Sequence, residues 1–265
     1  MELNRIYNMD CLEGMKNLPN DCIDMVITSP PYDNLRKYGN VTSWNNTKFQ
    51  AIAKQISRVL SDGAVCVWVV SDATINGTET GTSFRQALYF KDECGLLLYD
   101  TMIFQKSNPL PKPHLRYNQD FDFMFVFSKG KPKVFNPIMV DCKTYGRMQE
   151  WGTQKINEEK SAKYKRYSDR RKTKNKKIHG NIFSYAIGGI KIDHPAIFPI
   201  KLALDQISTW TNEGDIVLDP FSGSGTTAEA CHRIHRNFIA YEINKKYYDL
   251  SIKRLSDITD QLSLF

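Results

Sequence analysis

Residues 216–242 constrain the fold of this chain more than any other stretch. The apolar run Ile216-Val217-Leu218 delivers Asp219-Pro220-Phe221-Ser222-Gly223-Ser224-Gly225-Thr226-Thr227-Ala228. Thr226 to Arg233 then has helical spacing, and Phe238-Ile239-Ala240-Tyr241-Glu242 reads as a second strand. Strand, glycine loop, helix and strand in this order are the unit of a parallel α/β sheet. Gly223 and Gly225 let the backbone turn sharply and approach a ligand closely, while the helix that follows presents unpaired N–H groups toward it. The pair also fits the G-x-G-x-x-A of a dinucleotide site, and Glu242 is placed to accept hydrogen bonds from the two hydroxyls of a ribose.

A nicotinamide cofactor would need a mononucleotide-binding half on either side of this loop, and only 40 residues follow Gly225. Asp219 suits a ligand with an amino group or positive charge better than a pyrophosphate. S-adenosylmethionine carries an ammonium, a ribose and a sulfonium, so it is the expected cofactor, with a nicotinamide dinucleotide as the alternative.

The first third also alternates. Ile23 to Ile27 is a mostly apolar run that stops at Thr28-Ser29-Pro30-Pro31-Tyr32, since two prolines cannot continue a central strand. Phe49, Ile52, Ala53, Ile56, Val59 and Leu60 fall at helical spacing, Ser61-Asp62-Gly63 supplies a stop, and Ala64 to Val70 reads as a buried strand. Two more strands are expected over Leu96 to Phe104 and Phe121 to Phe127, separated by a proline-rich surface loop, residues 108–113. A helix follows from Lys201 to Trp210.

Four elements together resemble the amino-methyltransferases of DNA, which methylate N4 of cytosine or N6 of adenine. Thr28-Ser29-Pro30-Pro31-Tyr32 matches their catalytic signature, [D/N/S]-P-P-[Y/F], and Asp219 to Thr227 matches their cofactor loop. His194-Pro195-Ala196-Ile197-Phe198-Pro199 resembles the segment placed just before that loop, and Asn8-Met9-Asp10-Cys11 has the look of the family's start. With the catalytic motif first, the order is similar to the circularly permuted β class. The resemblance implies an α/β fold of the Rossmann-like S-adenosylmethionine-dependent type, with a seven-stranded mixed sheet, one strand antiparallel, and helices on both faces. It implies a catalytic half over residues 1–140, an inserted target-recognition region over 141–190 and a cofactor half over 191–265. Cofactor contacts are expected from Asp10, toward the adenine, and from Phe198, Asp219, Pro220, Phe221, Ser222, Gly223, Ser224, Gly225, Thr226 and Glu242. Catalysis falls to Ser29, Pro30, Pro31 and Tyr32.

The chemistry explains these residue types. An exocyclic amino nitrogen is a poor nucleophile because its lone pair is delocalised into the ring. Ser29 Oγ and the Pro30 carbonyl can accept its two protons and turn the lone pair toward the methyl group. Tyr32 can stack on a base flipped out of the duplex. Methylation at carbon 5 of cytosine would need a cysteine directly after a proline, and none of the six cysteines has that neighbour. A serine before Pro-Pro is, in the resembling family, more frequent with N4-cytosine than N6-adenine, so cytosine is favoured. Adenine and an RNA amino group remain alternatives.

Charge supplies the partner. The net charge is +7, yet residues 143–177 hold 13 basic and 4 acidic residues and the remainder 23 and 25, so all the excess lies in one segment. Lys163, Lys165, Arg166, Arg170, Arg171, Lys172 and Lys174 there, interleaved with Tyr164 and Tyr167, suit the phosphates and bases of double-stranded DNA. Asp33, Asn34 and Arg36 are weaker candidates for the base pocket. A homodimer and a separately acting cognate restriction endonuclease are the remaining partners entertained. The longest apolar runs fall far short of the roughly 18 residues of a membrane span, no signal peptide is recognisable, and a cytoplasmic enzyme is expected. The scattered cysteines show no C-x-x-C, and His232 and His235, three apart on a helix, have no supporting ligands, so no metal is expected.

Overall fold

A computed structural model of the chain describes residues 2–31, 44–108, 116–146, 148–149, 171–172, 174–187 and 199–262. The elements up to residue 128 are β1 (Arg5–Tyr7), α1 (Cys11–Lys16), β2 (Ile23–Thr28), α2 (Asn46–Val59), β3 (Leu60–Val70), β4 (Thr74–Ile75), β5 (Thr78–Glu79), α3 (Thr82–Asp92), β6 (Leu97–Lys106) and β7 (Phe121–Ser128). Short strands β8 (Met139–Asp141), β9 (Met148–Gln149), β10 (Arg171–Lys172) and β11 (Lys176–Ile178) follow. Then come β12 (Ile182–Tyr185), α4 (Ile200–Trp210), β13 (Ile216–Asp219), α5 (Thr226–Arg233), β14 (Asn237–Tyr241) and α6 (Lys245–Leu262). Among the described residues no helix is long and apolar enough to cross a membrane.

The chain divides into a larger unit, residues 1–136 with 181–265, and a smaller one, residues 137–180. Within the smaller unit β8 pairs antiparallel with β11 and β9 with β10. The larger unit is built on one sheet in the order β1-β14-β13-β2-β3-β7-β6-β12, with β7 alone antiparallel to its neighbours. The expected seven strands with one antiparallel are therefore present, and β12 adds an eighth, parallel to β6. The segment assigned to the basic region accordingly contributes residues 181–187 to the larger unit. Phe183 and Tyr185 are buried there, and Tyr185 donates to Asp205 Oδ2 at 2.8 Å.

Burial on both faces explains why β3 reads as a continuous apolar run: Ala64 to Val70 are all excluded from water. Val26, Cys66, Trp68, Val70 and Leu218 share a core cluster with the buried faces of α1, α2 and α3. The alternate residues Met25, Ile27, Val65, Val67 and Val69 are equally buried, on the side where α4 contacts β2 and β3 and α5 contacts β13 and β14. Trp68 is the largest fully buried side chain among the described residues. Its ring lies 5.1 Å from Phe90 and 5.9 Å from Phe49, and its Nε1 donates to Gln86 Oε1 at 2.8 Å.

The boundary between α2 and β3 differs from expectation. The helix stops at Leu60, an extended cap, and Ser61-Asp62-Gly63 already belongs to β3, where the register with β2 shifts. Gly63 has φ +75°, and a Cβ there would stand 2.9 Å from Lys133 Cβ. The glycine marks a close chain approach rather than a helix stop.

Because β1, β14, β13, β2 and β3 are mutually parallel, their carboxyl ends lie along one edge. The segments leaving that edge begin, in spatial order, with Asn8, Glu242, Pro220, Ser29 and Ser71. The strand order reverses between β13 and β2, which makes their junction the switch point where ligands bind in open α/β sheets.

Candidate active site

Strand β2 ends on Thr28, which is wholly buried, followed by half-buried Ser29, buried Pro30 and half-buried Pro31. Tyr32, Asp33, Asn34 and Arg36 lie outside the described residues. The Thr28 hydroxyl donates to Asp219 Oδ1 at 2.6 Å, linking residues 191 positions apart.

Asp219 closes β13 and is 1% exposed. Its Oδ1 also accepts from the Phe221 N–H at 3.0 Å, and its Oδ2 from Thr227 Oγ1 at 2.6 Å. Burial pushes this carboxyl up, while the two hydroxyls and the N–H oppose that shift. Asp219, which the sequence reading directs toward a cofactor ammonium, is held by these three protein donors and braces the loop from within. A chain leaving a strand into a tight loop must satisfy its freed backbone donors, and Asp219 does so just before the glycines.

The glycine loop itself is over-determined. The Ser222 N–H donates to the Tyr241 carbonyl at 2.9 Å, and the Gly225 N–H to the Ser222 carbonyl at 2.9 Å. Gly223 has φ +52° and Gly225 φ +81°. A Cβ on Gly225 would also stand 2.9 Å from Ser251 Cβ of α6, so both conformation and space demand glycine. Glu242 accepts from Gly223 N–H at 2.9 Å and from Asn244 N–H at 2.7 Å. Burial raises its carboxyl to about 7; the two N–H groups lower it and the charge of Asp219 adds to the rise.

Helix α6 holds the loop from behind. Arg254 Nε pairs with Glu229 Oε2, and its Nη1 donates to Thr226 Oγ1 at 3.0 Å. Glu229 is buried and bonded to Arg233 as well, at 2.7 Å. On the open side, half-buried Phe221 meets the edge of Trp44 at 5.4 Å. Ser222 Oγ is buried without a hydrogen-bond partner among the described residues. That hydroxyl has a hydrogen bond left to make, with a water or with a polar ligand in the loop. With two positive-φ glycines and an acceptor carboxylate at Glu242, these donors and acceptors fit a nucleoside cofactor with a polar tail.

Asp10, expected toward the cofactor's adenine, stands at the start of α1. It is the N-cap of α1, accepting from Leu12 N–H at 2.8 Å, and pairs with Lys48 Nζ at 2.8 Å. Burial pushes its carboxyl up, but the Lys48 ammonium and the Leu12 N–H outweigh that and hold it below the ordinary carboxylate range. Phe198 lies outside the described residues, as do Lys163, Lys165, Arg166 and Arg170. Arg171 and Lys172 form β10, opposite Gln149 and Met148, and Lys174, Lys176 and Lys177 are exposed.

Trp44 and Arg254 join the site from outside the residues that the sequence singles out, whereas Thr28 and Thr227 stand within the two matched motifs. The Arg254 contact carries no local signal, because its partners are 25 to 30 residues away.

Among known proteins, the family model described as DNA methylase matches residues 23–253. The chain is 44% identical over 253 residues to the orphan methyltransferase M.BamHII of Bacillus amyloliquefaciens, covering 92% of each protein. It is 25% identical over 297 residues to the Type II methyltransferase M.Cfr9I of Citrobacter freundii, covering 96% of this chain and 89% of that one. A PvuII DNA methyltransferase, cytosine-N4-specific, superposes with a TM-score of 0.69 at 22% identity, over 93% of this chain and 84% of its own, a likeness of fold. The M1.HpyAVI–SAM complex superposes with a TM-score of 0.65 at 28% identity, over 95% of this chain and 98% of its own.

Proposed function

The chain belongs to the DNA methylase family of amino-methyltransferases, and from that premise we propose that it methylates N4 of cytosine within a specific site of duplex DNA. It is an S-adenosylmethionine-dependent DNA methyltransferase of the N4-cytosine and N6-adenine type, at home in restriction–modification. The choice of base and the roles of individual residues are our reading.

Bound S-adenosylmethionine supplies a methyl group on a positively charged sulfur. The loop from Phe221 to Thr226 would hold it, with Ser222 Oγ offering the hydrogen bond it otherwise lacks and Glu242 accepting from the ribose. Ser29 Oγ and the Pro30 carbonyl accept hydrogen bonds from the two N–H groups of the flipped base's amine, which makes its nitrogen more tetrahedral and aims the lone pair. Pro30 and Pro31 fix that carbonyl, because proline leaves its own φ no freedom. No base need act before attack, since the nitrogen's protons become acidic as positive charge develops on it. Asp219 acts from within the protein.

The observation that carries the cytosine assignment is the hydroxyl at position 29, where the resembling family's adenine enzymes more often carry a carboxylate or carboxamide. Modification-sensitive sequencing of genomic DNA from expressing cells tests it. N4-methylcytosine at one recurring sequence is expected, and N6-methyladenine overturns the base assignment.

The basic residues from Lys163 to Lys177 are proposed to neutralise DNA phosphates, and the salt dependence of binding tests them. A homodimer and a separately acting endonuclease of the same specificity complete the proposal. Sedimentation of the purified enzyme checks the first, and protection of modified DNA from cleavage by a host extract checks the second.

A further inference from the structure

We infer that Thr28 is a positioning residue for methyl transfer, its hydroxyl keying the catalytic motif to the cofactor loop through Asp219. The backbone ladder between β2 and β13 pairs Met25 with Val217 and Val26 with Leu218. Beyond that pair the two chains part at the switch point, one into Ser29-Pro30-Pro31 and the other into Pro220-Phe221. The bond from Thr28 Oγ1 to Asp219 Oδ1, 2.6 Å long and wholly buried, continues the join from the last residue of each strand.

Asp219 distributes the connection. The oxygen that accepts from Thr28 also accepts from the Phe221 N–H, and its other oxygen accepts from Thr227 in the first turn of α5. One carboxylate therefore touches the residue before Ser29, the entry of the glycine loop and the helix that ends it. Transfer between two bound partners depends on reacting atoms about 3–3.5 Å apart and in line, and a misplacement of about 1 Å costs roughly a hundredfold. Thr28 sets that alignment without touching either partner.

The inference rests on Ser29 holding the amino group, so the experiment includes Ser29→Ala. Thr28→Val keeps the shape and removes the donor; Thr28→Ser keeps the donor and removes the methyl group. The readouts are single-turnover methyl transfer to DNA at saturating cofactor, calorimetric binding of S-adenosylhomocysteine, and thermal denaturation. Thr28→Val is expected to slow transfer about 10- to 100-fold while cofactor affinity changes about threefold or less, and Thr28→Ser to recover a rate within about threefold of the parent. A parent-like rate in Thr28→Val, equal slowing in both variants, or a defect confined to cofactor affinity overturns the inference. Should Thr28→Val not fold, Thr28→Ala reports on the same bond by the same criteria. A parent-like rate in Ser29→Ala defeats the assignment of Ser29 instead, and the Val and Ser variants still decide the role of Thr28.

Discussion

The two sides of the switch point are held by different forces. The cofactor loop is a polar construction: Asp219, Glu242, Glu229 and Arg254 fix it through hydrogen bonds and ion pairs at low exposure. The catalytic motif is held mostly by shape, with two prolines leaving a strand, β2, whose Met25 to Thr28 are all fully buried, and by one polar tie, from the Thr28 hydroxyl to Asp219. The difference teaches where each side is vulnerable. A polar brace responds to protons and to loss of a partner, whereas a packed strand end responds to the chemistry of one side chain.

Ser29→Ala breaks the comparison most severely. Removal of one acceptor used only at the reacting atoms should lower methyl transfer by roughly a hundred- to a thousandfold, the scale of losing one preorganised hydrogen-bonding group. Calorimetry with S-adenosylhomocysteine should find affinity unchanged, because the loop's own brace is intact. A parallel loss of affinity would mean that the two sides are not separable.

Arg254→Met attacks the loop. It strips buried Glu229 of one cation and frees Thr226, so unfolding free energy should fall by about 3 kcal/mol, read from denaturant midpoints. The Michaelis constant for the cofactor should rise while kcat at saturation is kept. A stable variant with parent-like cofactor affinity would remove Arg254 from the brace.

Protons probe the same side more gently. Burial raises the Glu242 carboxyl to about 7, and ribose hydroxyls donate more strongly to its ionised form. Binding therefore expels a proton below that point, and cofactor affinity should fall up to about tenfold per pH unit between pH 7 and 5. Glu242→Gln should flatten this dependence and weaken binding at pH 8. The same shift costs stability as pH rises: from 4.5 to about 7 the folded carboxyl keeps a proton that the unfolded chain has released. Rates at saturating cofactor should not share this limb if the catalytic motif is held by shape. The smallest expected effect lies in the smaller unit. Neutralising exposed Lys174, Lys176 and Lys177 together should reduce the slope of log affinity for DNA against log salt by roughly 0.9 for each phosphate left without its cation.

Short-range signals make much of this legible in the chain itself. Strand β13, the glycine loop, α5 and β14 lie within 26 residues, and their order alone places a ligand at the strand ends. Strand β12 is hidden because four residues with only Phe183 and Tyr185 buried read as part of a polar segment, and its partner β6 is some 80 residues away. Asp10 invites assignment to a ligand, although Asp10-Cys11-Leu12-Glu13 carries an N-cap pattern, which the structure uses. The brace around Asp219 is illegible for a stronger reason. Its donors come from three separate elements, and only the folded sheet brings Thr28 to it.

The most direct test is whether Ser29 and the loop beyond β13 together methylate an amino nitrogen of cytosine. Duplex DNA is treated with purified enzyme and methyl-labelled S-adenosylmethionine, digested to nucleosides and resolved by mass spectrometry. Labelled N4-methylcytosine is predicted for the parent and none for a Ser29→Ala variant that still binds S-adenosylhomocysteine. Label in N6-methyladenine, or equal label from the variant, would contradict it.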